Sequence, residues 1–173
     1  MNERTYEERA REEKFPLQLK IYKGMSGSLG AMRWNLKKAW TDSHKAEGVV
    51  FLEMCPTIGP NNYDWKNQKM IMALGITDIP KIILYLRSHK LYETQNKVNE
   101  LSIYHDKGAG TASKGQSTKT LSVSHSDETH NFFFKMYQKD GDKTMSATVT
   151  ASPGEALAIG VLLQAAIPRI LAW

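Results

Sequence analysis

The residues of this chain best suited to chemistry are basic side chains interleaved with aromatic ones in stretches free of acids. From Phe15 to Thr41 the sequence carries Lys20, Lys23, Arg33, Lys37 and Lys38 together with Tyr22, Trp34 and Trp40, and no Asp or Glu. Trp65 to Ile76 repeats the theme with Lys66 and Lys69. Cations neutralise phosphates and flat rings stack on unpaired bases, so a surface of this kind holds single-stranded nucleic acid without reading its sequence. On a strand, side chains that act together lie two apart. Lys20 and Tyr22 then share a face opposite Leu17, Leu19 and Ile21, while Arg33, Asn35 and Lys37 share a face opposite Met32, Trp34 and Leu36. The pattern predicts a basic outer face over an apolar inner one, with Trp34 and Trp40 in the core.

Other chemistries find no support. Gly110-Thr111-Ala112-Ser113-Lys114-Gly115-Gln116-Ser117 comes within one residue of a phosphate-binding P-loop, but Gln116 stands where the phosphate-reaching lysine belongs. A P-loop also opens into a helix, whereas residues 118–123 alternate as a strand, so 106–118 reads as a flexible loop. The histidines at 44, 89, 105, 125 and 130 show no metal-site or catalytic spacing, and His125 and His130 read as ordinary residues flanking a turn at Asp127-Glu128. No serine sits in a nucleophile elbow. Lone Cys55 excludes an internal disulfide and a Cys-based zinc site, and follows the pattern of a core thiol. No enzyme activity, cofactor or metal is expected.

The elements that must position the basic faces follow from periodicity. Four period-two runs open the chain, roughly Leu17 to Lys23, Ala31 to Trp40, Gly48 to Cys55 and Lys66 to Ile76. Ile79, Ile82, Ile83 and Leu86 then lie at helical spacing behind Thr77-Asp78, with Pro80 in the first turn, which predicts a helix over 78–88. Four more alternating runs follow, Glu100 to His105, Lys119 to His125, Asn131 to Gln138 and Lys143 to Thr150, with a tight hairpin at Asp140-Gly141. Ser152-Pro153-Gly154-Glu155 is a capping box that starts a helix over Glu155 to Ile167, and Pro168 should bend or interrupt it before Trp173. The expected fold is α+β, two four-stranded antiparallel sheets each followed by a helix. Because the last helix is apolar nearly all round, it is expected to pack in the core of an oligomer, with a helix buried deep in the chain's own core as the alternative.

Composition bounds the class. The 173 residues carry 23 Lys and Arg against 18 Asp and Glu, a net charge of +5, and are 41% hydrophobic, which suits one globular domain with a mildly basic bias. Residues 1–14 hold four basic and five acidic side chains, which leaves 19 against 13 over the domain at 15–173. This solvated arm has the features of neither a signal nor a transit peptide. The most apolar run, Ala156 to Ala166, is interrupted by Gln164 and is too short for a bilayer span. A soluble cytoplasmic protein without membrane contact is expected.

Several segments carry a family resemblance. Met54-Cys55-Pro56-Thr57-Ile58-Gly59-Pro60-Asn61-Asn62-Tyr63-Asp64-Trp65, running on through Thr77-Asp78-Ile79, resembles the strand, Y-D-W turn, strand and helix start of the Whirly single-stranded DNA-binding family, relatives of the transcriptional positive-cofactor proteins. Ile21-Tyr22-Lys23-Gly24, Tyr104-His105-Asp106, His130-Asn131-Phe132-Phe133-Phe134 and the closing Ile167-Pro168 to Trp173 are similar to further family segments in the same order. The resemblance spans about residues 17–173. It implies two blade-like sheets around a helical core, a homotetramer, and single-stranded DNA laid along and between neighbouring blades.

Taken together, these readings assign phosphate contacts to Lys20, Lys23, Arg33, Lys37, Lys69, Lys107 and Lys119, and base stacking to Tyr22, Tyr63, Trp65 and Tyr104. The expected partner is single-stranded DNA in bacterial or phage replication, recombination or repair, or in transcription. An RNA-binding module of the same architecture and a structural oligomer with merely solvated basic faces are the alternatives.

Overall fold

The computed structural model describes residues 18–22, 30–37, 48–59, 62–96 and 99–171. The N-terminal arm, Lys23 and Trp40 lie outside them. The first sheet consists of β1 (Gln18–Tyr22), β2 (Gly30–Lys37), β3 (Val49–Gly59), the two-residue β4 (Asn62–Tyr63) and β5 (Met70–Leu74). Its four main strands run antiparallel in the order β1-β2-β3-β5, and β4 pairs with the far end of β3. Helix α1 (Ile79–Asn96) follows. The second sheet is a simple meander of β6 (Glu100–Asp106), β7 (Ser117–His125), β8 (Phe132–Asp140) and β9 (Lys143–Ala151), and α2 (Pro153–Ile170) closes the described chain. The expected architecture of two antiparallel sheets, each followed by a helix, is present.

Alternation dictates the core. Ile21, Met32, Trp34, Val50, Leu52, Met54, Met70, Met72 and Leu74 point inward from the first sheet, and Leu101, Ile103, Leu121, Val123, Phe134, Met136 and Val149 point inward from the second, into one shared hydrophobic core. Trp34 and Phe134 meet edge to face with ring centroids 5.9 Å apart, joining the sheets by a contact worth roughly 0.5–1.5 kcal/mol beyond area burial. Where β9 crosses β2, a Cβ on Gly30 would lie 2.6 Å from the Cys55 carbonyl oxygen and 3.2 Å from the Ala147 Cβ, so only glycine admits that approach. Buried Cys55 is the expected core thiol, and burial raises its pKa.

Three local expectations change. The run expected as Lys66 to Ile76 is a strand only from Met70, because residues 65–67 form a turn held by Asp64, whose carboxylate accepts from the Asn67 backbone and side-chain nitrogens at 2.9–3.1 Å. Helix α1 does not end at 88. It breaks at Ser88 (φ −144°, ψ 42°) and resumes to Asn96, with the Tyr85 hydroxyl donating to the Asn99 carbonyl at 2.8 Å. Helix α2 runs through Pro168 to Ile170, started by the expected reciprocal cap between Ser152 and Glu155. Its Ala156, Ile159, Gly160, Leu163, Ala166 and Ile170 are buried in the chain's own core, while Leu157 and Val161 are 64% and 54% exposed. No helix among the described residues is long and apolar enough to cross a membrane.

Candidate nucleic-acid interface

Strand register builds the outer face of the first sheet. Lys20, Arg33, Glu53 and Ile71 stand in one cross-strand row over β1, β2, β3 and β5. Lys20 is exposed, as alternation requires opposite buried Ile21. The Arg33 guanidinium lies 4.5 Å from the Trp65 ring centroid, a cation–π contact, and its Nε donates to Glu53. Lys69 Nζ approaches the same carboxylate at 3.7 Å. Trp65 reaches this cluster because the chain departs from the edge strand. Between the pairs Thr57↔Tyr63 and Met54↔Met70, β3 advances three residues while its partner advances seven. The excess forms the turn that Asp64 caps, and its hydrogen bonds to Asn67 lower the Asp64 pKa.

The second sheet carries an aromatic row. Tyr104, Thr120, Tyr137 and Ser146 are in register across β6 to β9, and Tyr104 and Tyr137 are 59% and 41% exposed. Exposed Lys135 and Lys139 flank Tyr137 on the same face of β8, opposite buried Phe134 and Met136. At the end of the sheet the Asp106 carboxylate accepts from the backbone nitrogens of Gly108 at 2.8 Å and Gly115 at 2.9 Å, folding the glycine loop upon itself. A Cβ at Gly108 would stand 2.1 Å from the Ser113 carbonyl oxygen. Exposed Lys107 borders an open recess between this loop and the Asp140-Gly141 turn.

The structure thus brings Lys20, Arg33, Trp65 and Lys69 onto one face, and sets Tyr104 and Lys107 on the other sheet. Tyr63 is only part-exposed on β4. Tyr22 and Lys37 occupy strand positions opposite Ala31 and Val49, with side chains outside the described residues. Lys119 is placed differently from the other lysines. It lies on the inner side of β7 with Leu121 and Val123, is half-buried, and donates to the Ile71 carbonyl of β5. Burial first, then neighbouring Lys107, lowers its pKa. It ties the sheets together. Tyr137, Lys135 and Lys139 escaped the sequence reading, although inward Phe132, Phe134 and Met136 already assign them to the outer face. Glu53 escaped because an acid-free stretch of sequence says nothing of the next strand.

This arrangement of cations and flat rings suits polyanion binding. A family profile described as Whirly transcription factor matches residues 21–161. The chain belongs to the Whirly family. It is 27% identical over 90 residues to a potato (Solanum tuberosum) chloroplastic single-stranded DNA-binding protein named WHY1, a stretch covering 52% of this chain and 29% of that protein. Its fold is similar to the crystal structure of WHY1 from Arabidopsis thaliana, with a TM-score of 0.73 at 19% identity over 92% of this chain and 93% of that one. It is also similar to a guide-RNA-binding protein in a complex bound to its RNA, with a TM-score of 0.57 at 13% identity over 91% of this chain and 94% of that one.

Proposed function

We propose that this Whirly chain binds single-stranded DNA with little regard to sequence and performs no catalysis on it, serving replication, recombination, repair or transcription. The observation that carries the reading is the pairing of cations with rings on both outer faces: Lys20, Arg33 and Lys69 beside Trp65, and Lys135 and Lys139 flanking Tyr137, with Tyr104 in the same cross-strand row two strands away. Lysine and arginine supply sequence-independent attraction to phosphate, and each stacked base adds about 1–3 kcal/mol. Tyr22 and Lys37 share the strand parity of Lys20 and Arg33, Lys23 follows directly in sequence, and exposed Lys107 stands at the end of the second sheet. The potato relative's description as a single-stranded DNA-binding protein agrees with this.

The same proposal includes a homotetramer. Leu157 and Val161 form an exposed apolar stripe on α2, opposite the side buried in the chain's own core, and a second copy is the natural cover for it. Since both outer faces point away from one shared core, a strand that engages several faces passes between copies.

Matched single-stranded DNA, duplex DNA and single-stranded RNA in a mobility-shift assay test the proposal. Preference for single-stranded DNA is expected. Equal or tighter binding of RNA would move the function to the RNA-binding alternative, and no binding of any of the three would leave a structural oligomer.

A further inference from the structure

Away from both outer faces, two histidines distant in sequence meet beneath the β7–β8 turn. His89 lies on α1 one residue past the break at Ser88, and His125 ends β7. Their rings are tilted by 31° with centroids 3.8 Å apart. His89 Nε2 and His125 Nδ1 are both buried, and among the described residues neither has a hydrogen-bond partner. Two orphaned imidazole nitrogens side by side are costly unless something accepts their lone pairs. Among the described residues, Asp127 brings a carboxylate to the pair, with Oδ1 3.5 Å from His125 Nδ1.

We propose that His89 Nε2, His125 Nδ1 and an Asp127 carboxylate oxygen bind a divalent transition metal of the zinc type, which pins the second half of α1 to the β7–β8 turn. All three atoms lie within 4.8 Å of one another. Tetrahedral zinc with bonds of about 2.0–2.2 Å sets its ligands roughly 3.4 Å apart. The His125–Asp127 pair is already at that separation, whereas His89 Nε2, within 4.8 Å of the other two, has to close by up to about 1.4 Å as the two rings splay from their 31° tilt to aim their in-plane lone pairs at one ion. Two imidazoles and one carboxylate are a borderline-soft donor set that suits zinc or cobalt better than calcium or magnesium.

The surroundings fit the same reading. The Phe132 ring stands edge-on to His89 at 5.7 Å and against His125 at 4.8 Å, an apolar wall on one side of the donors. The Asp127 side chain is 76% exposed, leaving the other side open for entry and for water as fourth ligand. Sequence spacing hides the site, because its ligands come from two elements that meet only in the fold.

The test uses the full chain, stripped with chelator and titrated with Co2+ and then Zn2+. One visible cobalt band per chain is expected, displaced by zinc, and zinc at about a hundredfold over its dissociation constant should raise the melting temperature by about 5 °C or more. His89→Gln and Asp127→Asn should each weaken cobalt binding by about tenfold or more. Asp127 is exposed, so its substitution leaves the fold intact and decides the matter even where His89→Gln unfolds. Absence of both band and thermal shift in the wild type, or undiminished binding in Asp127→Asn, would overturn the site.

Discussion

Replacing Glu53 by Gln should tighten single-strand binding while weakening the fold. Glu53 is the one acid in the cross-strand row Lys20, Arg33, Glu53, Ile71, and it draws on both Arg33 and Lys69. A phosphate that meets the Arg33 guanidinium from solvent stands about 6 Å from that carboxylate, where two unit charges repel by ~0.7 kcal/mol at the dielectric of water and ~1.4 kcal/mol at half of it. Removing the charge should therefore tighten binding by about threefold to tenfold. Releasing Arg33 and Lys69 should also steepen the salt dependence by up to about 0.7 per freed phosphate contact. The fold loses a part-exposed ion pair, about 1 kcal/mol after discounting for solvent, which lowers the melting temperature by roughly 2–4 °C. Fluorescence anisotropy with a labelled oligonucleotide over a salt series, alongside thermal melts, reads both effects. Weaker binding at unchanged stability would mean that Glu53 aims Arg33 at the strand, and the electrostatic reasoning would fail.

Tyr104→Ala and Tyr137→Ala should each weaken single-strand binding by about 1–3 kcal/mol without lowering the melting temperature, since both rings are exposed; unchanged affinity in both would remove the second sheet from the interface. Val161→Glu should yield smaller species in sedimentation velocity with the fold retained, whereas an unchanged sedimentation coefficient would mean that the α2 stripe is not the contact between copies. His125 should make the protein lose stability in acid. Its folded pKa lies below the unfolded one through burial, neighbouring His89 and His130, against the opposing pull of Asp127 and Glu93. The unfolded chain therefore binds the extra proton first, so stability is intact above about pH 6.5 and declines below it, and chelator-treated His125→Gln should flatten that decline in urea melts.

Much of this was legible in the chain, and for definable reasons. Period-two alternation assigned Lys20, Arg33 and Trp34 to their faces, because a strand with one buried side leaves no other register. The Ser152-Glu155 cap was equally readable, since all of its partners are local. Contacts that join distant strands were not. Nothing near Lys119 announces that its ammonium closes on the Ile71 carbonyl, although its parity with Leu121 and Val123 already turned it inward. Arg33 sits in an acid-free stretch, yet Glu53 from the next strand faces it. On α2, apolar residues on every side concealed which of them the chain buries itself, and only the packing separates Leu163 from Leu157 and Val161.

The most direct test of the account is the salt dependence of affinity for a single strand, measured beside a duplex of the same sequence. Six described cations, Lys20, Arg33, Lys69, Lys107, Lys135 and Lys139, are offered for phosphate contact. At about 0.7 per contact on a single strand, the four cations not held by Glu53 give a log–log slope near −3 per chain, approaching −4 when Arg33 and Lys69 are released as in Glu53→Gln, with the duplex bound more weakly at every salt concentration. A slope close to zero, or a duplex bound as tightly as the single strand, would contradict the account.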